Sequence, residues 1–166
     1  QAKALYYRAQ AEKYLAEADR FIDWSEYNLR TSDGLWYNDI TNRWYATSAF
    51  SAMSMGEAIY HFGDKLPADY KNKWLNIFVR MCDVFTTLDT RDSFKPVTNY
   101  YCGIGALLAM AWRLTGNDKY YENFYLLFWK LAAIINDELL NNEKFAGNYN
   151  IPHIIRQIKV YLKNNF

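Results

Sequence analysis

Proline is scarce in this chain: only Pro67, Pro96 and Pro152 occur. Each stands at the head of an apolar run of helical period, where the missing N–H breaks no helical bond. Two histidines and two cysteines lie too far apart to show ligand spacing, so no metal site is expected. A glycine-rich phosphate loop, a serine nucleophile elbow and a Cys-His signature are also missing, and no cofactor is expected. Nineteen Lys and Arg stand against eighteen Asp and Glu, with no basic run. That balance argues against a nucleic-acid partner. No apolar stretch approaches the roughly 20 residues that a membrane span needs, and the opening QAKALYYRAQ lacks the pattern of a signal peptide. The start at Gln1 suggests a cleaved leader or a piece of a longer polypeptide.

The chain does have apolar and aromatic residues in quantity. Of its 166 residues 51% are hydrophobic, enough for a single domain with one sizeable core. Aromatics make up 19%, with six Trp and fifteen Tyr. They supply core volume, but their flat faces and polar tips also suit sugar rings. Composition leaves both uses open. Cys82 and Cys102 fall in helical segments, where a free buried thiol is ordinary, although an oxidising compartment could pair them.

Apolar spacing predicts six helices and no sheet. The first runs from about Ala2 to Leu29, with Ala4, Ala11, Leu15, Ala18 and Ile22 in line. A second spans Trp44 to Phe62, with Ala46, Ala49, Met53 and Tyr60 on one face. The third follows Pro67 and sets Trp74, Ile77, Phe78, Met81, Phe85 and Leu88 in register. The fourth covers Asn99 to Leu114, the fifth Asp118 to Leu140, and the last begins at Pro152. Helices two and four are rich in small residues, as suits a crowded inner layer, whereas three and five are bulky.

Superposing Gly63 on Gly116 exposes a weak internal repeat of 53 residues. Each unit is a small-residue helix, a short Gly turn and a bulky helix, which makes a helical hairpin. In both turns the Gly is expected to take the left-handed C-cap conformation, and the following Asp64 or Asn117 to start the next helix. The three longer connections, 30–43, 89–98 and 141–151, should then gather at the opposite end. That rim is rich in aromatic and hydrogen-bonding residues, the chemistry of a carbohydrate cleft.

Two stretches carry a resemblance. NYYCGIGALLAMAWRLTGNDKYYE, from Asn99 to Glu122, is similar to the recurring hairpin of the (α/α) toroid carbohydrate-active enzymes. DGLWYND, from Asp33 to Asp39, resembles an opening found among endo-mannanases, uronate polysaccharide lyases and unsaturated-uronide hydrolases. The likeness implies an all-α domain of three antiparallel helical hairpins, a partial or truncated toroid, from a secreted or periplasmic protein. Glycosidic hydrolysis or uronate β-elimination on a polysaccharide or oligosaccharide would be its reaction. Three hairpins are part of a ring, so a missing second half or a homodimer partner is implied. No Asp-Asp pair matches the mannanases.

Within the rim, Asp39 and Tyr100 are the candidate proton-transfer groups. Trp36, Tyr37, Arg43, Trp44, Arg91, Asn99, Tyr101 and His153 are the candidate substrate contacts. Asp33 and Asp39 also suit helix caps or turns, and the rim Trp and Tyr could instead plug the stack. His61, beside the Gly63 turn at the far end, reads as structural. A non-catalytic helical module that binds sugar or a partner protein is the alternative.

Overall fold

The structure, a computed structural model, describes residues 2–37, 45–87 and 98–128. The chain divides into two compact units, Gln1–Leu127 and Phe128–Phe166, and the description that follows concerns the first. Its described residues are helical: α1 (Ala2–Asn28), α2 (Tyr45–Phe62), α3 (Ala68–Thr87), α4 (Thr98–Thr115) and α5 from 118 to the end of the unit at 127. Among the described residues there is no strand, only an isolated antiparallel bridge between Arg30 and Trp36. None of the described helices is long and apolar enough to cross a membrane.

The core is a three-helix contact of α2, α3 and α4. α3 carries the apolar register expected of it, burying Trp74, Ile77, Phe78, Met81, Cys82 and Phe85. Leu88 lies outside the described residues. α4 buries Leu107, Leu108, Ala109, Met110 and Ala111 in succession, so neighbours surround it. Small residues make that approach feasible. A Cβ on Gly56 of α2 would stand 2.7 Å from Phe78 and 3.0 Å from Met110, so three helices meet where there is no side chain.

The repeat is visible in space. Gly103 faces Phe50 and Arg113 binds the hydroxyl of Tyr60, so α2 and α4 run parallel at an offset of one repeat. α3 returns antiparallel to α2, which puts Lys71 beside Gly63 and Phe78 beside Gly56. Tyr120 of α5 is buried and donates from its hydroxyl to Asp83 of α3 at 2.5 Å, with Lys119 on the same carboxylate at 2.7 Å. Burial, then the Asp83 hydrogen bond and charge, raise the Tyr120 phenol above its usual range.

Several expectations need correction. In α1, Ala4, Ala11 and Ala18 are exposed and Leu15 is only half-buried, leaving Ile22 as the buried member of the line. α1 is anchored by polar groups instead. Asp19 accepts from the Trp74 indole and from Lys73, each at 2.8 Å, and Asp23 shares Lys73. Burial lowers the Lys73 pKa, but its two carboxylate partners outweigh that and raise it overall. Of the line expected on α2, Ala49 is buried, but Met53 is only half-buried and Tyr60 is exposed; the buried face is Ser48, Ala49, Ala52, Met55 and Ile59. Ser48 sits on the buried face bonded to the Trp36 backbone, a contact that an apolar count along the sequence does not register.

The two Gly turns also differ. Gly116 has φ +66, the left-handed C-cap conformation, and Asn117 caps α5 by accepting from the Lys119 amide. Gly63 is not left-handed; a Cβ there would strike the Ile59 carbonyl at 2.4 Å. α3 then begins after Pro67, where the Lys71 amide bonds the Pro67 carbonyl, so Asp64 does not start it. Cys82 and Cys102 are free thiols, and burial raises the pKa of both.

Candidate functional site

Helix direction decides which ends meet. α2 and α4 run parallel and α3 runs against them, so the starts of α2 and α4 share one end of the stack with the finish of α3. The loop after α1 is attached at this end. Ser48, buried in the first turns of α2, accepts from the Trp36 amide at 3.0 Å and donates to the Trp36 carbonyl at 2.8 Å. Tyr100 in the first turn of α4 corresponds, one repeat on, to Thr47. Trp36, Tyr37 and Tyr100 therefore belong to the same rim.

The loop 29–37 is built tightly. The Thr31 amide and hydroxyl both bond the Leu35 carbonyl, and the Tyr37 amide returns to Leu29. Gly34, at φ +92, makes the reversal. Asp33 accepts from the Thr31 hydroxyl, which makes it a turn former here.

Beneath the loop lies an ion pair that sequence reasoning missed. Arg80 of α3 grips Glu26 of α1 with both terminal nitrogens, at 2.7 and 2.5 Å, and its Nε donates to the Gly34 carbonyl at 3.0 Å. Trp36 completes the arrangement, its indole N–H donating to Glu26 at 2.6 Å. Burial raises the Glu26 pKa, but hydrogen bonds from Arg80 and Trp36 and the charges of Arg80 and Arg30 outweigh it, so the carboxyl lies below its usual range. A bidentate guanidinium–carboxylate pair is geometrically selective, and this one locks a helix, a loop and an indole together. Glu26 and Arg80 are each one of several charged residues in their helices, so no pattern singled them out; only the fold shows that the two meet.

The rim candidates divide by this geometry. Trp36 is turned inward, 7% exposed, with its indole committed to Glu26. Tyr37, one residue on, is 40% exposed and offers its ring outward. Tyr100 is half-buried. Asp39, Arg43, Trp44, Arg91 and His153 lie outside the described residues, as do the side chains of Asn99 and Tyr101. His61 is exposed at the opposite end and pairs with Glu57 one turn earlier. No cluster of three or more metal-ligating side chains occurs among the described residues.

No curated protein and no solved structure matches the chain. The sequence model described as Ulvan lyase N-terminal domain, however, matches residues 3–159. That span takes in the α1 anchor, both hairpin repeats and the rim. The all-helical fold is consistent with such a domain. The chain belongs to the ulvan lyase N-terminal domain family and is a carbohydrate-active domain related to the polysaccharide lyases.

Proposed function

We propose that the domain binds a uronate-bearing polysaccharide along the rim and takes part in its cleavage by β-elimination. The family match over residues 3–159 carries this reading, because the name of that family is that of a lyase. In such a reaction a base removes the proton on C5, beside the carboxylate. A double bond forms between C4 and C5, the C4–O bond breaks, and a proton goes to the departing oxygen. The step is slow unless the carboxylate charge is offset, since that charge opposes a second negative charge building on C5. Arg43, Arg91, Asn99 and His153 are assigned that task. Tyr100 or Asp39 moves the proton, and Tyr37, Trp44 and Tyr101 hold neighbouring sugars, with Trp36 positioning Tyr37 from below.

Ulvan and a neutral mannan, offered separately, test the reading. New ultraviolet absorbance from an unsaturated uronide, with ulvan only, is the expected result. Reducing ends without absorbance would show hydrolysis and overturn it. The family is that of an N-terminal domain, which favours one second reading: a sugar-binding module whose chemistry lies elsewhere. Ulvan binding with no new product would establish that instead. A secreted or periplasmic location follows from a polymeric substrate and can be checked by fractionating the source cells.

A further inference from the structure

The geometry points to Ser48 as a positioning residue for substrate: its hydroxyl holds the backbone of Trp36 and, through it, keeps the ring of Tyr37 turned outward at the rim. The inference rests on the lyase reading above, which makes Tyr37 a sugar contact.

Ser48 lies in the small-residue run of α2, buried on the same face as Ala49 and Ala52. Helix propensity alone would favour alanine there. A serine inside a helix can turn its hydroxyl back to the carbonyl one turn earlier, and Ser25 and Ser54 do so, bonding the Phe21 and Phe50 carbonyls. Ser48 does otherwise. Its one hydroxyl proton goes across to the Trp36 carbonyl at 2.8 Å, and its oxygen accepts from the Trp36 amide at 3.0 Å. A single side chain thus satisfies both backbone groups of one loop residue.

The ring of Trp36 is fixed separately. Its indole N–H meets Glu26 of α1, and Arg80 of α3 holds that carboxylate while donating from Nε to the Gly34 carbonyl. Three helices therefore fix residue 36, by backbone and by ring. The consequence falls on its neighbour. Trp36 forms the isolated antiparallel bridge with Arg30, and the Tyr37 amide bonds the Leu29 carbonyl at 2.7 Å. In extended backbone successive side chains leave on opposite faces, so a Trp36 pinned inward turns Tyr37 out, as their exposures show. A ring already aimed at the sugar loses little freedom on binding, so the effect of Ser48 belongs to KM rather than to proton transfer.

Steady-state kinetics of the whole chain on ulvan test this, with Ser48→Ala and Tyr37→Ala made singly and together. Each single variant should raise KM about two- to tenfold, the worth of one aromatic contact, with kcat close to wild type. The double variant should be no worse than Tyr37→Ala alone, because Ser48 acts through that ring. Gly56→Ala, which crowds the core farther along α2, is the control: it should lose stability and keep the wild-type KM. Should Ser48→Ala misfold by circular dichroism, Trp36→Phe serves in its place; it loses the indole N–H, and its rise in KM should likewise vanish in the Tyr37→Ala background. Wild-type KM in either single variant, additive effects in the double variant, or an equal rise in Gly56→Ala would overturn the proposal, and ulvan cleavage by the wild type would leave the lyase reading standing. If the wild type binds ulvan without cleaving it, Kd replaces KM in the same comparisons. A wild type that neither binds nor cleaves ulvan would overturn both.

Discussion

The guanidinium carbon of Arg113 lies 4.2 Å above the ring of Tyr60, 53 residues earlier in the chain. The two residues lie in the last turns of α2 and α4, so this contact is a direct sign that the repeats stack side by side with their short turns at one end.

A double-mutant cycle on this pair should give a coupling of about 0.5–1 kcal/mol, the usual worth of an exposed cation–π contact. Denaturation of Tyr60→Leu, Arg113→Met and the double variant measures it. Zero coupling would mean that the repeats hold together without this contact.

Gly56 and Gly103 should respond to alanine with opposite signs. Both are in helix interiors, where alanine is worth roughly 0.5–1 kcal/mol over glycine. A Cβ on Gly103 would meet Phe50 at 3.6 Å, an ordinary contact, whereas on Gly56 it would meet Phe78 at 2.7 Å. Gly103→Ala should therefore stabilise by that amount, and Gly56→Ala should destabilise by about 1–3 kcal/mol through overpacking. Thermal unfolding of the two variants would show it, and a stabilised Gly56→Ala would contradict the close crossing.

Arg80→Met should cost about 2–4 kcal/mol and loosen the rim. The Arg80 and Glu26 side chains are 26% and 18% exposed, so removing the cation strands a largely buried carboxylate and frees the Gly34 carbonyl. Hydrogen exchange at the bonded amides of Trp36 and Tyr37, whose loop hangs on that carbonyl, should speed up well beyond the change in the α3 core. Uniform change across the chain would mean that the pair adds stability without fixing the loop.

The same pair sets a pH dependence. Glu26 has its pKa lowered below the ordinary 4.5 in the folded state, so folding favours its charged form. The resulting stability is complete above the unfolded value and is lost as pH falls through the lowered folded one. Denaturant titrations from neutral pH into acid should show wild type losing stability in that window. Glu26→Gln should start less stable and show a shallower acid loss.

Tyr100→Phe tests the rim chemistry. If its hydroxyl moves a proton, turnover of ulvan should fall by about 10²–10⁴ with little change in KM. Tyr37→Ala should mainly raise KM. Unaltered turnover in Tyr100→Phe would transfer the proton role to Asp39.

Much of this architecture was legible from residue patterns. The α3 register was read correctly from Trp74 to Phe85, because a helix packed on one side must place apolar residues every three or four positions. The 53-residue offset was equally readable, since repeated turns and small-residue runs leave a mark in sequence. α1 misled for the converse reason: its Ala4, Ala11 and Ala18 keep helical spacing yet are exposed, while Asp19 and Glu26 hold the helix.

The chain's sequence by itself determined that it is helical, that its hairpins repeat and that two of its helices are rich in small residues, because each follows from local spacing and side-chain volume. Only the tertiary structure decided that Trp36 turns inward while Tyr37 faces out, and that Arg80 and Glu26 meet beneath the rim loop. Those are contacts between residues tens of positions apart, and a charge's partner is set by where helices cross, which no local pattern encodes.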